Sequence, residues 1–461
     1  MMKNYLLFII TFFALAPIVS AQSVNSKLEK LMDYYASEYH FNGVALVANK
    51  SGLLLEKAYG YRDISKKIKH DNFSIFPIGT LTSQFTVELI LQLAAEHKLS
   101  IDDSLGKFFP GYSAVDTCVD IHMLLTSSTG MNDYAIWDAF MKRHDTGTIS
   151  RDSLFRVFMT QRPPIRPGLH SKYCHSNYLL LAYIVELVTH ESYSEALRNQ
   201  IFKPVGMVSS GLDYVGLKDS HKSTGYRYYN EHNPIRQSVA DSSLLEGSAN
   251  MYSTINDLYA WHLALQSYKL LDSAWQELAY KPQGNSKYNY ASGWYIDTVF
   301  DKRTLTFAGQ LQGFSSYIYR IPEDGLCIIL LQNLDRPAYE NKTIGENILA
   351  CLYGKDYKIP EAIPPMPLSI DSLKQYEGEY DFNKYFTIMV KLQGDKLHVK
   401  VISTNELEKN DYDIIPIAEN LFKTYAVPGT IEFFKDATGQ VYKLIVHLPK
   451  MDAPGMKKKQ L

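Results

Sequence analysis

The sequence predicts an α+β (α/β) protein: an antiparallel sheet with helices packed around it, followed by a small all-β domain. Three observations carry this. Strand pattern and one helix come first, a long helix-rich stretch follows, and strand pattern resumes near residue 290. Pro360, Pro364, Pro365 and Pro367 then make a stiff break. Beyond them the pattern is almost wholly strand. A chain of 461 residues suits two or three domains. The expected divisions are a leader over 1–21, a main domain over 22–355, a linker over 356–368 and a β-barrel-like domain over 369–461.

The leader has Lys3, an apolar run from Tyr5 to Val19, and Val19-Ser20-Ala21 before Gln22. This is a secretory signal pattern with cleavage after Ala21, so an exported protein, periplasmic or secreted, is expected. The alternative is a membrane anchor, but the run is short and Pro17 interrupts it. No membrane span is expected after cleavage.

Leu28, Leu31, Tyr35 and Tyr39 recur at helical spacing. GVALVAN, a Lys50-Ser51-Gly52 turn and LLLEKAYGY read as a hairpin. Phe85, Leu89, Ile90, Leu93 and Ala94 mark a helix over about 80–97. YLLLAYIVELVT is apolar nearly all round and reads as a buried helix. Thr254 caps another, with Asp257 three residues on. SGWYIDTVF, RTLTFAG, FSSYIYRIP and GLCIILLQN are strands, the last two joined by a Pro322-Glu323-Asp324-Gly325 turn. In the C-terminal part, YFTIMVKL and KLHVKVI flank Gln393-Gly394-Asp395, and TIEFFKD and QVYKLIVHL flank Ala437-Thr438-Gly439.

Charge excludes some functions. Lys and Arg number 47 against 49 Asp and Glu, so nothing favours nucleic-acid binding. The four cysteines are widely spaced without a CxxC pair, so neither a zinc nor a redox site is expected. Cys327 and Cys351 read as buried thiols, and a Cys118–Cys174 pairing stays open. No cofactor or metal is implied.

Six segments then stand in a fixed order: SIFPIGTLTSQFTVELILQLAAEHKLSIDDSLGKFFP, DIHMLLTSSTGMNDY, RPGLHSKYCHSNYLLLAYIVE, IFKPVGMVSSG, EGSANMYSTINDLYAW and FAGQLQGFSSYIYRIPEDGLCIILLQNL. Together they resemble the landmarks of the β-lactamase-related serine hydrolases. That family includes class C β-lactamases, D-alanyl-D-alanine carboxypeptidases, esterases and peptidases. Taken together, six in register point to the β-lactamase/penicillin-binding-protein fold over about 25–350. The C-terminal domain resembles the small barrel-like modules appended to such proteins.

The resemblance implies a nucleophilic serine at a helix start, activated by a lysine one turn later and a tyrosine across a cleft. A Lys/His-x-Gly strand motif and backbone N–H groups complete the oxyanion side. This sequence departs from the pattern in each motif, keeping the tyrosine, Tyr173, and the strand glycine, Gly309. Ser-x-x-Lys reads Thr80-Leu81-Thr82-Ser83, Tyr-x-Asn reads Tyr173-Cys174-His175, and the strand motif reads Phe307-Ala308-Gly309, with Gln310 next. Ser127 stands where the landmark has histidine.

The implied catalytic positions are therefore Thr80, Ser83, Tyr173 and His175, and the implied ligand-binding positions Phe307, Gly309 and Gln310. A threonine hydroxyl is crowded by its methyl group. Serine is no substitute for a tuned lysine base. A catalytically impaired, exported member is expected, binding a peptidoglycan-like peptide or acyl ligand through a vestigial cleft. One alternative is an active hydrolase rewired through Thr80 or through Ser83 with His175 as base; another is a structural envelope protein. Thr80 also reads as a structural helix-start residue, and His175 as a hydrogen-bonded cleft histidine rather than a metal ligand.

Overall fold

The computed structural model describes residues 16–112, 118–134, 150–227, 234–239, 245–282, 289–336, 338–357, 364–383, 386–403, 411–424, 429–448 and 451–458. The chain divides into two compact units, the first holding Phe41–Tyr357 and the second Lys358–Leu461. Pro360 and residues 1–15 of the expected leader lie outside the described residues.

Helix α1 spans Ala16–Glu38 and so begins before the periodicity at Leu28 would place it. It runs through the expected cleavage point at Ala21. Pro17 sits in its first turn, where the missing N–H costs nothing. Leu28, Leu31 and Tyr35 face inward as the spacing requires. No helix among the described residues is long and apolar enough to cross a membrane.

The first unit is built on a six-stranded antiparallel sheet, in the order β2-β1-β10-β9-β8-β7. Its members are β1 (Gly43–Asn49), β2 (Gly52–Tyr59), β7 (Tyr295–Val299), β8 (Lys302–Leu311), β9 (Phe314–Ile321) and β10 (Leu326–Gln332). Between the two groups of strands lie the pairs β3 (Tyr61–Asp63) with β4 (Ile68–Lys69) and β5 (Phe76–Pro77) with β6 (Tyr252–Ser253). The helices are α2 (Thr82–Ala95), α3 (Ile121–Leu125), α4 (Arg151–Met159), α5 (His175–Thr189), α6 (Tyr193–Leu197), α7 (Ile255–Gln266), α8 (Ser273–Ala279) and α9 (Ala338–Leu352).

Helices cover both faces of the central strands. Tyr317 of β9 lies against Gly345 of α9, while Arg320, three residues on, reaches His262 of α7 on the other face. All residues of β9 and β10 are accordingly buried, which is why GLCIILLQN reads as an unbroken apolar run. Thr254 caps α7 by accepting from Asp257 N at 3.2 Å. The expected turn between β9 and β10 is a short 3₁₀ turn, Pro322–Asp324, closed by Gly325 in the left-handed region.

The sequence reading is corrected in two places. The described residues within 207–251, a stretch expected to be helix-rich, are largely turns with isolated bridges such as Ile75↔Lys222 and Gly211↔Tyr252. Its apolar residues serve as single anchors to the core rather than as a helical stripe. The helix expected from residue 80 instead opens with a 3₁₀ turn, Gly79–Leu81, and becomes α-helical at Thr82. None of the four cysteines, all among the described residues, forms a disulfide, so Cys118 and Cys174 do not pair.

The second unit carries a short helix, α10 (Ile370–Lys374), and a closed barrel of eight strands. These are β11 (Gly378–Asn383), β12 (Phe386–Gln393), β13 (Lys396–Ser403), β14 (Asp411–Pro416), β15 (Leu421–Lys423), β16 (Thr430–Lys435), β17 (Val441–Leu448) and β18 (Met451–Lys457). Closure comes from β11 pairing with β18 through Tyr380↔Lys457 and Asp381↔Met456, which removes both open edges. Alternate residues such as Ile388, Val390, Leu397, Val399, Phe422 and Phe433 are buried. The barrel interior is filled by its own side chains.

Candidate active site

Three segments far apart in sequence build the site: the Thr80 turn meets β8 at Ala308, and β8 meets the third segment through Phe307 and Tyr173. The first is the 3₁₀ turn. Gly79 has φ +54°, and a Cβ there would lie 2.5 Å from Gln310 O, so only glycine lets the turn approach β8 this closely. Thr82 locks the start of α2: its hydroxyl donates to Gly79 O at 2.7 Å and accepts from Met251 N at 3.1 Å. The second segment is the free edge of β8. Strand β7 pairs with β8 only as far as Tyr295↔Thr306, which leaves the stretch from Phe307 onward facing the turn. Gly309 is required here as well, because a Cβ would fall 2.0 Å from Ile78 O. The third segment is the start of α5 and the residues just before it.

Thr80, Tyr173 and His175 remain partly accessible, whereas Ser83 and Phe307 are buried. Each polar side chain at a motif position is held by a specific partner. Thr80 Oγ1 donates to Ala308 O at 2.9 Å, so the hydroxyl ties the turn to β8 rather than capping the helix. Ser83 Oγ donates to Thr80 O at 2.8 Å, a back-bond within the helix start. Tyr173 Oη donates to Ser248 O at 2.9 Å. Burial, followed by the neighbouring Tyr178 and Asp133, pushes the Tyr173 phenol well above its ordinary range. It is therefore a neutral donor, not a phenolate base.

His175 is held by Asp133. The carboxylate Oδ2 lies 3.0 Å from Nδ1 and also accepts from the His175 backbone N–H at 3.3 Å. A carboxylate only accepts, so Nδ1 carries a proton and Nε2 is the acceptor of the neutral ring. Asp133 escaped the sequence reading, although it stands in the GMNDY landmark. Burial, with Asp133 second, pushes the adjacent Cys174 thiol up to about 12, which makes it inert as a nucleophile.

The side where the resemblance places a cation is aromatic. Phe307 stacks on Tyr295 with ring centroids 5.6 Å apart and lies 5.7 Å from Tyr173. Tyr173 in turn stacks on Tyr178 at 5.3 Å and meets the His175 ring edge-on at 5.0 Å. Tyr178 and Tyr290 share a hydrogen bond through their hydroxyls. At the expected ligand-binding positions, Phe307 is packed, Gly309 seats β8 against Ile78 O, and the Gln310 side chain donates to Arg336 O at 2.5 Å. Tyr178, Tyr290 and Tyr295 are too common a residue type to single out among 34 tyrosines. No group of three or more metal-ligating side chains occurs among the described residues.

Comparison with known proteins agrees with this architecture. The Beta-lactamase family profile matches residues 24–351, and a domain of unknown function, DUF3471, matches 364–459. Protein flp of Staphylococcus aureus is 28% identical over 327 residues, covering 67% of this chain. The chain spans 63% of the length of that relative. A penicillin-binding protein of Bacillus subtilis is 23% identical over 433 residues, 89% of this chain and 94% of its own. Among solved structures, an octameric penicillin-binding protein homologue from Pyrococcus abyssi superposes with a TM-score of 0.62 at 21% identity, covering 93% of this chain and 99% of that one. FmtA from Staphylococcus aureus gives 0.56 at 22% identity over 72% of this chain and 91% of its own. With a profile match over most of its length, the chain belongs to the beta-lactamase-related serine hydrolase family.

Proposed function

We propose that this protein is an exported member of the family whose catalytic unit is impaired and whose remaining cleft binds a peptidoglycan-like peptide or acyl ligand. One observation carries the reading. The Thr80 and Ser83 hydroxyls both donate to backbone carbonyls, and the base position one turn after Thr80 holds serine in place of lysine. A nucleophile of this kind needs a base to take its proton, and removing either partner costs on the order of 10⁴–10⁶ in rate. The family's oxyanion side is retained in outline, since the free β8 edge still borders the Thr80 turn.

A second reading rests on the His175–Asp133 pair. It offers an oriented imidazole to the rewired hydrolase, in which a Thr80 or Ser83 hydroxyl is the nucleophile. Intact mass separates the two after incubation with a reactive β-lactam and with a fluorophosphonate. The proposed function gives no adduct but saturable non-covalent binding of a peptidoglycan-derived peptide. An adduct that disappears in both Thr80→Ala and His175→Ala would establish the rewired hydrolase instead.

A further inference from the structure

The segment 161–172, which leads into Tyr173, does nothing for the chemistry described above. Arg162, Arg166 and Lys172 give it three fixed positive charges, His170 adds a titratable one, and no acidic residue lies between them. All four are exposed. Among the described residues none of their side chains forms an ion pair or hydrogen bond, in a chain whose overall charge is only −2. Ile165 and Leu169 stand between them, 45% and 52% exposed. Lys57 and Arg303, by contrast, are matched to Asp33 and Glu277.

The strap is nevertheless fixed in place. Gly168 N donates to Ser128 O at 2.8 Å and Lys172 N to Ser127 O at 3.0 Å, while Ser171 Oγ bonds Thr126 O. Gly130 packs so closely beneath it that a Cβ would lie 2.1 Å from Ile165 O. Pro163, Pro164 and Pro167 stiffen the chain and remove three backbone donors. A rigid backbone displaying unpaired cations and exposed aliphatic side chains loses little conformational entropy on binding.

We infer that the 161–172 strap is a docking site for an acidic polypeptide whose carboxylates alternate with apolar side chains. Charge complementarity selects an anionic partner, and Ile165 and Leu169, set between the cations, select one with apolar groups over a purely phosphate polymer. The proposed site uses none of the Thr80, Ser83, Tyr173 and His175 side chains, so it stands whether or not the cleft turns over substrate.

The test uses the full chain and fluorescence anisotropy with a labelled peptide of alternating Glu and Leu pairs. A Lys–Leu peptide and inorganic polyphosphate serve as the other probes. Wild type should bind the Glu–Leu peptide and not the Lys–Leu one. Reversal of charge in Arg162→Glu, Arg166→Glu, Lys172→Glu should weaken binding about tenfold or more at low salt, with a smaller gap at about 0.15 M salt. The neutral set Arg162→Gln, Arg166→Gln, Lys172→Gln should fall between. Ile165→Ser with Leu169→Ser should weaken peptide binding severalfold at both salt concentrations. Equal binding of both peptides, or reversal without effect, overturns the docking site. Polyphosphate binding that outcompetes the peptide and ignores the Ile165 and Leu169 substitutions overturns the polypeptide as its partner.

Discussion

On the proposed function, Thr80→Ser combined with Ser83→Lys should raise the chain's acylation activity well above that of wild type. The two changes restore a nucleophile and its base on the same face of the start of α2, one turn apart. Removing the Thr80 methyl group frees the hydroxyl to leave Ala308 O and turn toward a bound carbonyl. The new lysine would replace the Ser83 back-bond to Thr80 O and would be desolvated, which favours the neutral amine a base must be. Tyr173 needs no change, because its hydroxyl already sits in the site as a neutral donor. Nucleophile and base act as a unit, so each single substitution should do little, and the double substitution should raise single-turnover acylation by roughly 10³–10⁴. Adding Phe307→His restores polarity on the β8 side and should raise it further. The readout is acyl-adduct mass with an activated ester, alongside circular dichroism to show that the variants fold. A folded double variant with no adduct would mean that the aromatic packing around Phe307 has closed the site.

Glu88→Gln should stabilise the first unit at alkaline pH and leave it nearly unchanged at pH 5. Glu88 lies on α2 and is buried, accepting only a 3.3 Å hydrogen bond from Gln92 Nε2. Burial pushes its carboxyl up to about 7 from an unfolded value of 4.5. The folded state therefore prefers the protonated form. The stability this contributes is full below about 4.5 and is lost as the pH rises through about 7, a change on the order of 3 kcal/mol. Glutamine is neutral at every pH, so the variant should gain up to that amount by about pH 8.5.

Two buried histidines set the opposite limb. Burial lowers His70 to about 4, and burial together with Arg320 lowers His262 to about 3. Their neutral forms are preferred in the fold, so their contribution is full above 6.5 and is lost as the pH falls through those values. The acid limb should be the same in both proteins. All four tryptophans lie before residue 357, so urea unfolding followed by their fluorescence reports the first unit. A wild-type-to-variant gap of equal size at pH 5 and pH 8.5 would show that Glu88 does not titrate in this range.

The sequence by itself determined the fold class, the family and the positions on which the family motifs fall. It could do so because these are local or additive properties. The 2-residue period of KLHVKVI and the capping Thr254 act within a few residues of chain. Motif order needs no knowledge of distance, so the substitutions at Thr80, Ser83, His175 and Phe307 were visible before any fold. The helix-rich expectation failed where tertiary contacts replace a repeating pattern, as in the described part of 207–251, and the expected helix start failed where Gly79 bends the chain to meet β8.

Only the tertiary structure decided what those residues do. That Thr80 donates to Ala308 O depends on two segments 228 residues apart, and the His175–Asp133 pair on two that are 42 apart. Barrel closure between β11 and β18 likewise joins strands at opposite ends of the second unit. A hydroxyl, an imidazole or a carboxylate has the same composition whether it is a nucleophile, a base or a structural tie. Its role is fixed by the partner within about 3 Å, and that partner is chosen by packing across the whole fold.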